Sequence, residues 1–497
     1  MDDFLPRVER EFPALGHGAY LDSACIGVAS RRAARAVADL AHSVQFCAAG
    51  SGTDQHGRLN DARSAARPLA ARLLDAGAKD IALVESTTHG LAIAAQALPL
   101  EPGDEVVTCD LEFLQMTSTW RQLESRGVKV RQIPHTGGVV DVDAVREHLT
   151  PGVRVVALSS VQWTNGFRLD VEAVSALCRE RGLWLLIDAA QHLGVLPFSV
   201  RETPVDILVC GGHKWLGSPF GTGILYLSPR IRPLLRRPVT GFFAARPPGL
   251  SRSWGETFMR ETPVSYEHLE FTEEARAWEV GGTGNYPGAI GLAASLSLLL
   301  ELRPARVARH TAELTGLLLD GLDRLGVRVV SPRGDGQRSA IVTFTLGRDS
   351  SDTALMRHLL GRGVAVSVRY ASGVGGVRVS CHCFTTPQDI ERLLAAVRDW
   401  GGRGCGHLPA PTAPASRSRT QIVQQQALID ALDDDLIGLV AARDHVARGI
   451  RLSRAEGGIA HTDLARERTV MARYHDRLGP DGTRLALELL RRCRGQT

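Results

Sequence analysis

Four side chains that could carry out chemistry together follow the ends of two predicted strands. Asp188 and Gln191 come directly after one apolar run, and His213 and Lys214 come just after the next. Because ligands of open parallel α/β sheets bind outside the carboxyl ends of the strands, we expect these side chains to meet in one crevice. A lysine that forms a Schiff base, beside a carboxylate that keeps a pyridine nitrogen protonated, is what pyridoxal phosphate chemistry requires.

The chain has only three lysines, which narrows the choice of the reactive amine. Lys79 and Lys129 lie in polar stretches before predicted strands, where a solvated cation is usual, whereas Lys214 lies among glycine, histidine, tryptophan and leucine. A lysine at a strand end whose side chain merely reaches solvent is the alternative. The sequence DAAQ at residues 188–191 argues against that alternative, because it supplies a carboxylate and an amide upstream at a fixed spacing.

Two motifs carry a family resemblance. The sequences DAAQ at residues 188–191 and GGHKWLGSPFGTG at 211–223 resemble the class V aminotransferase group of fold-type I pyridoxal phosphate enzymes. This group includes cysteine desulfurases, kynureninase-like lyases and isopenicillin N epimerase-like proteins. The resemblance covers about residues 15–400. It implies a large domain with a mostly parallel sheet, a small α/β domain and a homodimer.

The resemblance also implies which residues hold the cofactor. Thr87 and Thr88 open a predicted helix, where free backbone N–H groups and the helix dipole favour a phosphate, although plain N-capping would also explain them. Phe113 falls where desulfurases stack a histidine on the pyridine ring, and its ring could supply the same contact area. The implied cofactor contacts are Thr87, Thr88, Phe113, Asp188, Gln191, His213, Lys214 and, from the partner subunit of a dimer, Thr283.

One arginine and two departures bear on the reaction. Arg378 matches the family arginine that binds the substrate α-carboxylate, for which a guanidinium fork is well suited; an exposed strand arginine is the alternative. Gly211 replaces the phosphate-binding serine of desulfurases. Ser372 stands where one desulfurase group carries its sulfur-accepting cysteine, and the surrounding loop has no cysteine. The sequence therefore argues against desulfurase activity by the family mechanism.

Two segments leave alternatives open. In YLDSACIG, Cys25 lies at the family's substrate mouth and could be a nucleophile, but no base is arranged for it, and a small buried residue is the simpler interpretation. The family's polar contact to the cofactor's phenolic oxygen falls among Gln162, Trp163 and Asn165, without a choice between them. A glycine-rich turn before a helix explains the glycines around residue 283 but not Glu279.

Composition indicates a soluble globular protein. The 497 residues are 44% hydrophobic and 23% charged, and the net charge of +4 is spread along the chain without the basic, aromatic-rich runs of nucleic-acid-binding proteins. Cys381 and Cys383 alone have close spacing, and two thiols make no zinc site. We expect a cytoplasmic protein with reduced cysteines and with no signal peptide, membrane span, metal or nucleic-acid partner.

Composition shifts divide the chain. We expect a class V aminotransferase-like region over residues 1–402, with its large domain at about 15–300 and its small domain at about 303–400 together with the N-terminal segment. The Gly-, Pro- and Ser-rich stretch 403–419 is a predicted linker, and an all-α domain follows at 420–497.

The C-terminal region has a helical pattern with clustered charges. Apolar residues from 422 to 450 recur at helical spacing and predict one helix longer than 30 residues. Arg443 and Arg454 share one face of that helix, and Arg466 and Glu467 follow after a Gly-Gly break. Such a cluster suits a small dianion, although a solvated charged face is the usual alternative.

The spacing from 433 to 467 resembles the AroQ-type chorismate mutases, especially their compact actinobacterial branch. This resemblance implies a three-helix domain whose substrate contacts are Arg443, Arg454, Arg466, Glu467, Asp463 and Gln426. The rearrangement of chorismate needs a preorganised electrostatic cage and no nucleophile. Gln426 departs from the pattern, since it replaces an arginine that the first helix lends to the partner's site. The loss of roughly 1.5–3 kcal/mol would lower activity by about one to two orders of magnitude.

The sequence thus predicts a homodimeric pyridoxal phosphate enzyme that acts on an amino acid or its keto acid, fused to a chorismate mutase-like domain. The favoured hypothesis is a transaminase linked to chorismate- or prephenate-derived metabolism. The alternatives are a C–S or β-lyase or an epimerase, with a C-terminal domain that only binds chorismate or forms a dimer.

Overall fold

The computed structural model of the chain separates into two units, residues 1–408 and 409–497. The structure describes residues 4–12, 18–45, 50–238, 241, 244–247, 256–257, 259, 269–280, 282, 284–401, 419–456 and 464–493. The predicted linker lies outside these residues, apart from Arg419. Several side chains of the helix at 419–456 are also not described, among them that of Gln426.

Helices and strands alternate through the first unit. Its helices are α1 (Phe4–Glu11), α2 (Arg31–Ser43), α3 (Gly52–Ser64), α4 (Ala66–Leu74), α5 (Thr87–Ala97), α6 (Leu114–Arg121), α7 (Val142–Glu147), α8 (Val171–Glu180), α9 (Tyr286–Leu302), α10 (Pro304–Arg324), α11 (Asp349–Leu360) and α12 (Pro387–Gly401). Its strands are β1 (Ala19–Tyr20), β2 (Ile81–Val84), β3 (Glu105–Cys109), β4 (Lys129–Ile133), β5 (Val153–Ser159), β6 (Trp184–Asp188), β7 (Ile207–Gly211), β8 (Gly223–Leu227), β9 (Arg328–Val329), β10 (Ile341–Thr345), β11 (Val364–Ala365), β12 (Ser367–Ala371) and β13 (Val374–Ser380).

A seven-stranded sheet forms the centre of the large domain, in the order β2-β8-β7-β6-β5-β3-β4. Strands β4, β3, β5, β6 and β7 are parallel, and β8 runs antiparallel to both β7 and β2. Because helices cover both faces, the inner strands are continuous apolar runs, as in the fully buried ILVCG of β7. The two predicted strands that precede the candidate residues are β6 and β7, so their carboxyl ends lie side by side.

A smaller antiparallel sheet, in the order β12-β13-β10-β9, packs against α10, α11 and α12. Strands β12 and β13 form a hairpin whose two-residue turn, Ser372 and Gly373, has positive φ angles of 46° and 78°. Positive φ at both turn positions is typical of the tight hairpin turn whose twist matches that of the strands. The N-terminal segment joins this domain, because β1 pairs in parallel with β11.

Helix α9 lies in the core of the first unit, with Leu292 and Leu296 fully buried. Within the described part of the chain, no single helix is both long and apolar enough to cross a membrane. By length and composition alone, the pair α9 and α10 together would pass that criterion, with a bend of 74° between them.

A buried ion-pair cluster explains Glu279, which the glycine-rich turn left unexplained. Its carboxylate is fully buried and accepts from Arg67 at 2.8 Å through both oxygens, while Arg63 lies 2.8 Å away. The same carboxylate accepts the backbone N–H of Leu83 at 2.8 Å. Glu279 therefore ties the segment before α9 to α3, α4 and strand β2.

The second unit is helical in its described residues. Helix α13 (Arg419–Glu456) has 38 residues, where the apolar pattern predicted a helix longer than 30. Helix α14 (Leu464–Cys493) is interrupted at Gly479, whose φ and ψ of 66° and −152° are not helical. Several apolar side chains of α13 are more than half exposed, namely Ile429, Leu436, Ile437, Leu439, Val446, Ile450 and Leu452.

We predict that Glu279→Gln lowers the free energy of unfolding of the first unit by about 3 kcal/mol, because two buried guanidinium groups would lose their charged partner. Glu274→Gln is the matched control. Its carboxylate pairs with Arg276 at the surface, so we expect a change below about 1 kcal/mol. All seven tryptophans precede residue 409, so tryptophan fluorescence during urea unfolding reports on the first unit. Equal effects of the two substitutions would contradict this account.

Candidate active site

A cavity of about 270 Å³ lies at the carboxyl ends of β5, β6 and β7. Its lining includes the predicted residues Thr87, Thr88, Phe113, Asp188, Gln191, His213, Lys214 and Arg378. Thr283 lies outside the described residues. Lys79 and Lys129 are exposed elsewhere, so Lys214 is the lysine that the fold brings to this cavity. The roles of these residues stay predictions, but their convergence is a property of the fold.

The backbone around Lys214 is tightly held. Gly27 donates its N–H to the His213 carbonyl at 2.8 Å, and a Cβ atom on Gly27 would lie 1.8 Å from the Lys214 carbonyl oxygen. On the other side, Trp215 is fully buried and its carbonyl accepts from His382 Nε2 at 2.9 Å. The lysine is thus flanked by fixed groups and turns its side chain into the cavity.

Gln191 contributes to this anchoring. Its Oε1 accepts from Trp215 Nε1 at 2.6 Å, and its Nε2 donates to the Ala24 carbonyl at 3.0 Å. Both ends of the amide are therefore engaged with the protein. The predicted contact between Gln191 and a cofactor stays a prediction, and a structural role is evident beside it.

The charges in the cavity perturb one another. Burial lowers the pKa of Lys214; the nearby Asp188 carboxylate opposes this effect and the Arg378 guanidinium adds to it. Burial likewise raises the pKa of Asp188, against the Ala190 N–H, which donates to it at 2.8 Å, and the Lys214 charge. A cationic pyridine nitrogen beside Asp188 would favour the ionised carboxylate, and a lowered lysine pKa favours the free amine that attacks an aldehyde.

An aromatic surface faces the lysine. The ring of Phe113, which is 39% exposed, lies 5.8 Å from Lys214 Nζ. Trp163 supports it edge-on, with ring centroids 4.9 Å apart, and Trp163 itself donates Nε1–H to the Leu111 carbonyl. Phe113 therefore presents ring area to the cavity, as stacking on a planar cofactor requires.

The part of the cavity lined by Thr87 and Thr88 has the features of an anion site. Thr87 and Thr88 begin the 11-residue helix α5, whose N-cap Ser86 accepts the His89 N–H at 3.1 Å. The first N–H groups of a helix have no partner within it, so they can bind a phosphate. A Cβ on Gly211 would lie 2.9 Å from Thr87 Oγ1, so the threonine occupies space beside the position where desulfurases carry a serine.

Arg378 is not the exposed strand arginine of the alternative interpretation, since only 1% of it is exposed. Its Nη1 donates to the Trp163 carbonyl at 2.8 Å and its Nη2 to Asp22 at 3.4 Å, while Nε is buried without a hydrogen-bond partner. Burial lowers the pKa of this guanidinium. A buried guanidinium that lines a cavity is suited to a carboxylate ligand.

Sequence reasoning missed Arg369, which lines the same cavity. Its Nη2 donates to Cys25 Sγ at 3.3 Å. The tight turn at Ser372 and Gly373 is the signal that could have found it. A two-residue turn sets Ser367 opposite Arg378, and Arg369 then lies on the same face two residues along the strand.

The residues present fit pyridoxal phosphate. A helix N-terminus is available for the phosphate, the Phe113 ring for the pyridine, the buried Asp188 for the ring nitrogen and Lys214 for the aldehyde. Gly211 leaves the phosphate end open, because a side chain there would fill the space beside Thr87.

In the second unit the predicted chorismate site stays a prediction. Arg443 Nη1 donates to the Leu489 carbonyl at 2.9 Å and contacts Cys493 Sγ, so it joins α13 to α14. Arg454 lies near the end of α13, and the remaining predicted contacts Arg466 and Glu467 lie in the first turn of α14. Asp463 and the side chain of Gln426 lie outside the described residues.

Comparison with known proteins identifies relatives of the first unit. The family model described as aminotransferase class-V matches residues 19–393. A probable cysteine desulfurase of Aeropyrum pernix is 28% identical over 413 residues, covering 79% of this chain and 97% of the relative. Isopenicillin N epimerase of Streptomyces clavuligerus is 27% identical over 342 residues, covering 67% and 83%.

Solved structures agree on the fold. The cysteine desulfurase of Thermococcus onnurineus has a TM-score of 0.70 at 21% identity, covering 80% of this chain and 98% of that one. A C-DES variant with glycine covalently linked to its PLP cofactor also has a TM-score of 0.70, at 22% identity, covering 79% and 99%. The expected fold-type I architecture, with a mixed α/β sheet, is confirmed for the first unit. Pyridoxal phosphate is the cofactor for which the site is built.

We predict that Gly27→Ala impairs covalent uptake of pyridoxal phosphate by about a hundred-fold, because the added methyl group displaces the Lys214 backbone. Uptake is measured by visible absorbance and, after borohydride reduction, by the mass of the peptide that contains Lys214. Gly57→Ala is the control, since nothing lies within 4 Å of a Cβ at that position. Normal uptake by Gly27→Ala would show that the close packing does not position the lysine.

Proposed function

The chain belongs to the class V aminotransferase family, and from this premise we propose that it is a pyridoxal phosphate-dependent C–S lyase. It cleaves the Cβ–S bond of a cysteine-type amino acid by β-elimination. With cysteine itself, one water is consumed, and pyruvate, ammonia and hydrogen sulfide are released. The sulfur leaves as a free thiol or sulfide and is not transferred to the protein.

One observation carries the proposal: Lys214, Asp188 and Arg378 converge on one cavity in a chain whose relatives include many proteins named as probable cysteine desulfurases. Transamination, the hypothesis that the sequence alone favoured, has no comparable support. The comparisons favour the lyase alternative, because C–S cleavage is the chemistry for which these relatives are named.

Each residue has a definite task in this reaction. Arg378, which lines the cavity, binds the α-carboxylate and so orients the amino acid. Bound pyridoxal phosphate supplies the electron sink, and Asp188 keeps its ring nitrogen protonated. Because burial lowers its pKa, the Lys214 amine is suited to remove the α-proton near neutral pH. Phe113 supplies a stacking surface without the titratable nitrogen that desulfurases carry there.

The hairpin turn at Ser372 supports free release of the sulfur. Ser372 occupies the position where the resemblance places a sulfur-accepting cysteine, and its Oγ donates to the Asp110 carbonyl at 2.7 Å. A hydroxyl cannot form the persulfide that a thiolate forms. The residue is also held in a tight turn, so no thiol is delivered from this hairpin.

The test is product formation by the purified holoenzyme from L-cysteine and S-substituted cysteines, with no keto acid added. We expect pyruvate, ammonia and the thiol in equal amounts, and a loss of about a thousand-fold or more in Lys214→Ala. Lys129→Ala and Ser372→Ala should retain activity. A requirement for a keto-acid acceptor would instead indicate a transaminase, and loss of activity in Ser372→Ala would contradict free release.

A second candidate function concerns the second unit taken by itself. We propose that it binds chorismate through Arg454, Arg466 and Glu467, as the spacing of these residues implies. The 38-residue helix α13 supports this proposal, because it provides the long scaffold that the AroQ pattern requires. Its exposed apolar side chains favour self-association, and the homodimer stays a prediction.

The full-length Lys214→Ala protein tests the second proposal without interference from the first site. We expect slow loss of chorismate, a fall of at least about tenfold in Arg466→Ala and a gain of about ten- to a hundred-fold in Gln426→Arg, which would restore a charge-assisted contact. Arg484→Ala, which removes a surface arginine paired with Asp481, is the control. If neither the parent nor Gln426→Arg consumes chorismate, the unit is not a mutase.

A further inference from the structure

Two arginines enter the cavity from one hairpin. Arg378 lies in β13 opposite Ser367 of β12, and Arg369 follows two residues after Ser367 on the same face. Both guanidinium-bearing residues line the cavity together with Lys214. The hairpin turn fixes the register between the strands and therefore the backbone positions of the two arginines.

Arg369 and Arg378 together carry two positive charges, and among the described residues Asp22 is the carboxylate that pairs with them. Arg378 is paired with Asp22 at the long distance of 3.4 Å. Arg369 forms no ion pair with a carboxylate in the described part of the chain; its Nη1 donates to its neighbour's carbonyl, that of Val368, at 2.8 Å. Its Nη2 contacts Cys25 Sγ at 3.3 Å, and sulfur is a weak acceptor.

Burial lowers the pKa of Arg378; the Asp22 carboxylate opposes this effect and the Arg369 charge adds to it. Like charges near a cavity are favourable only when a ligand of the opposite sign joins them. The α-carboxylate of an ordinary amino acid neutralises one of the two arginines. Arg369 also lines the cavity, and its hydrogen-bond acceptors among the described residues are the Val368 carbonyl and the Cys25 thiol, neither of which carries a carboxylate charge.

We propose that the substrate is an amino acid with a second carboxylate in its side chain, bound by Arg369 while Arg378 binds the α-carboxylate. This inference rests on the proposed function in one respect, namely that the substrate is an amino acid. It adds the class of amino acid that the site would bind. A cysteine conjugate whose sulfur bears a carboxylate-containing group has this chemistry. A planar guanidinium selects a carboxylate by paired hydrogen bonds, which a point charge does not provide.

Binding of non-reacting acids to the holoenzyme is the test, because it needs no turnover. Calorimetric titration compares glutarate with the monocarboxylate pentanoate. We expect glutarate to bind about ten- to a hundred-fold more tightly, as one added charge-assisted contact provides. In Arg369→Gln this preference should disappear, while pentanoate binding changes by less than about twofold. Arg328→Gln, an exposed arginine of β9 in the same sheet, should leave both affinities unchanged.

The outcomes separate this inference from the lyase proposal. Equal affinities for the two acids in the unchanged protein, or equal weakening of both in Arg369→Gln, would overturn the second-carboxylate site whether or not the protein cleaves C–S bonds. Arg369→Lys keeps the positive charge but loses the paired donors of the planar guanidinium. We therefore expect it to retain only part of the preference for glutarate over pentanoate. In turnover, Arg369→Gln should raise the ratio of KM for S-carboxymethylcysteine to KM for S-methylcysteine about tenfold or more.

Discussion

The position of the Lys214 amine depends on how the peptide around Trp215 is packed. The Trp215 ring is fully buried, its carbonyl accepts from His382, and a Cβ on Gly194 would lie 2.2 Å from that carbonyl. On the other side of Lys214, Gly27 packs so closely that a Cβ there would lie 1.8 Å from the Lys214 carbonyl oxygen. These partners come from the N-terminal segment, the segment after β6 and the segment after β13, so parts of both domains contribute to the position of the lysine. Such packing leaves little freedom to the backbone while the side chain stays directed into the cavity.

Once the lysine is fixed, the cavity is governed by its charges. Lys214, Arg369, Arg378 and Asp188 line one cavity, and Asp22 pairs with Arg378. Burial acts on these groups in opposite directions, since it lowers the pKa of Lys214 and raises that of Asp188. A bound pyridine cation would favour the ionised form of Asp188, and a bound carboxylate would favour the charged form of Arg378. Ligands that bind only the folded protein in this way also stabilise the fold.

The sequence allowed the positions of candidate residues to be predicted where those residues directly follow the ends of buried strands. Asp188 and Lys214 could be placed because buried strands are continuous apolar runs and parallel strands end at one edge. It was uninformative where contacts depend on register or on distant partners. Arg369 needed the hairpin register, and Glu279 meets Arg67 across 212 residues of chain. Gln191 shows a third limit, because its residue type is compatible with a cofactor contact and with the structural bonds it makes.

The β12–β13 hairpin links the two unusual features of the site. The resemblance to desulfurases places a thiol at its turn, where this chain has Ser372, and the same tight turn fixes the register that aligns Arg369 with Arg378. Ser372 carries a hydroxyl, which forms no persulfide, so this turn offers no sulfur acceptor. The proposed free release of sulfur and the proposed site for a second carboxylate therefore both depend on this one hairpin, the first through the residue at its turn and the second through its strand register.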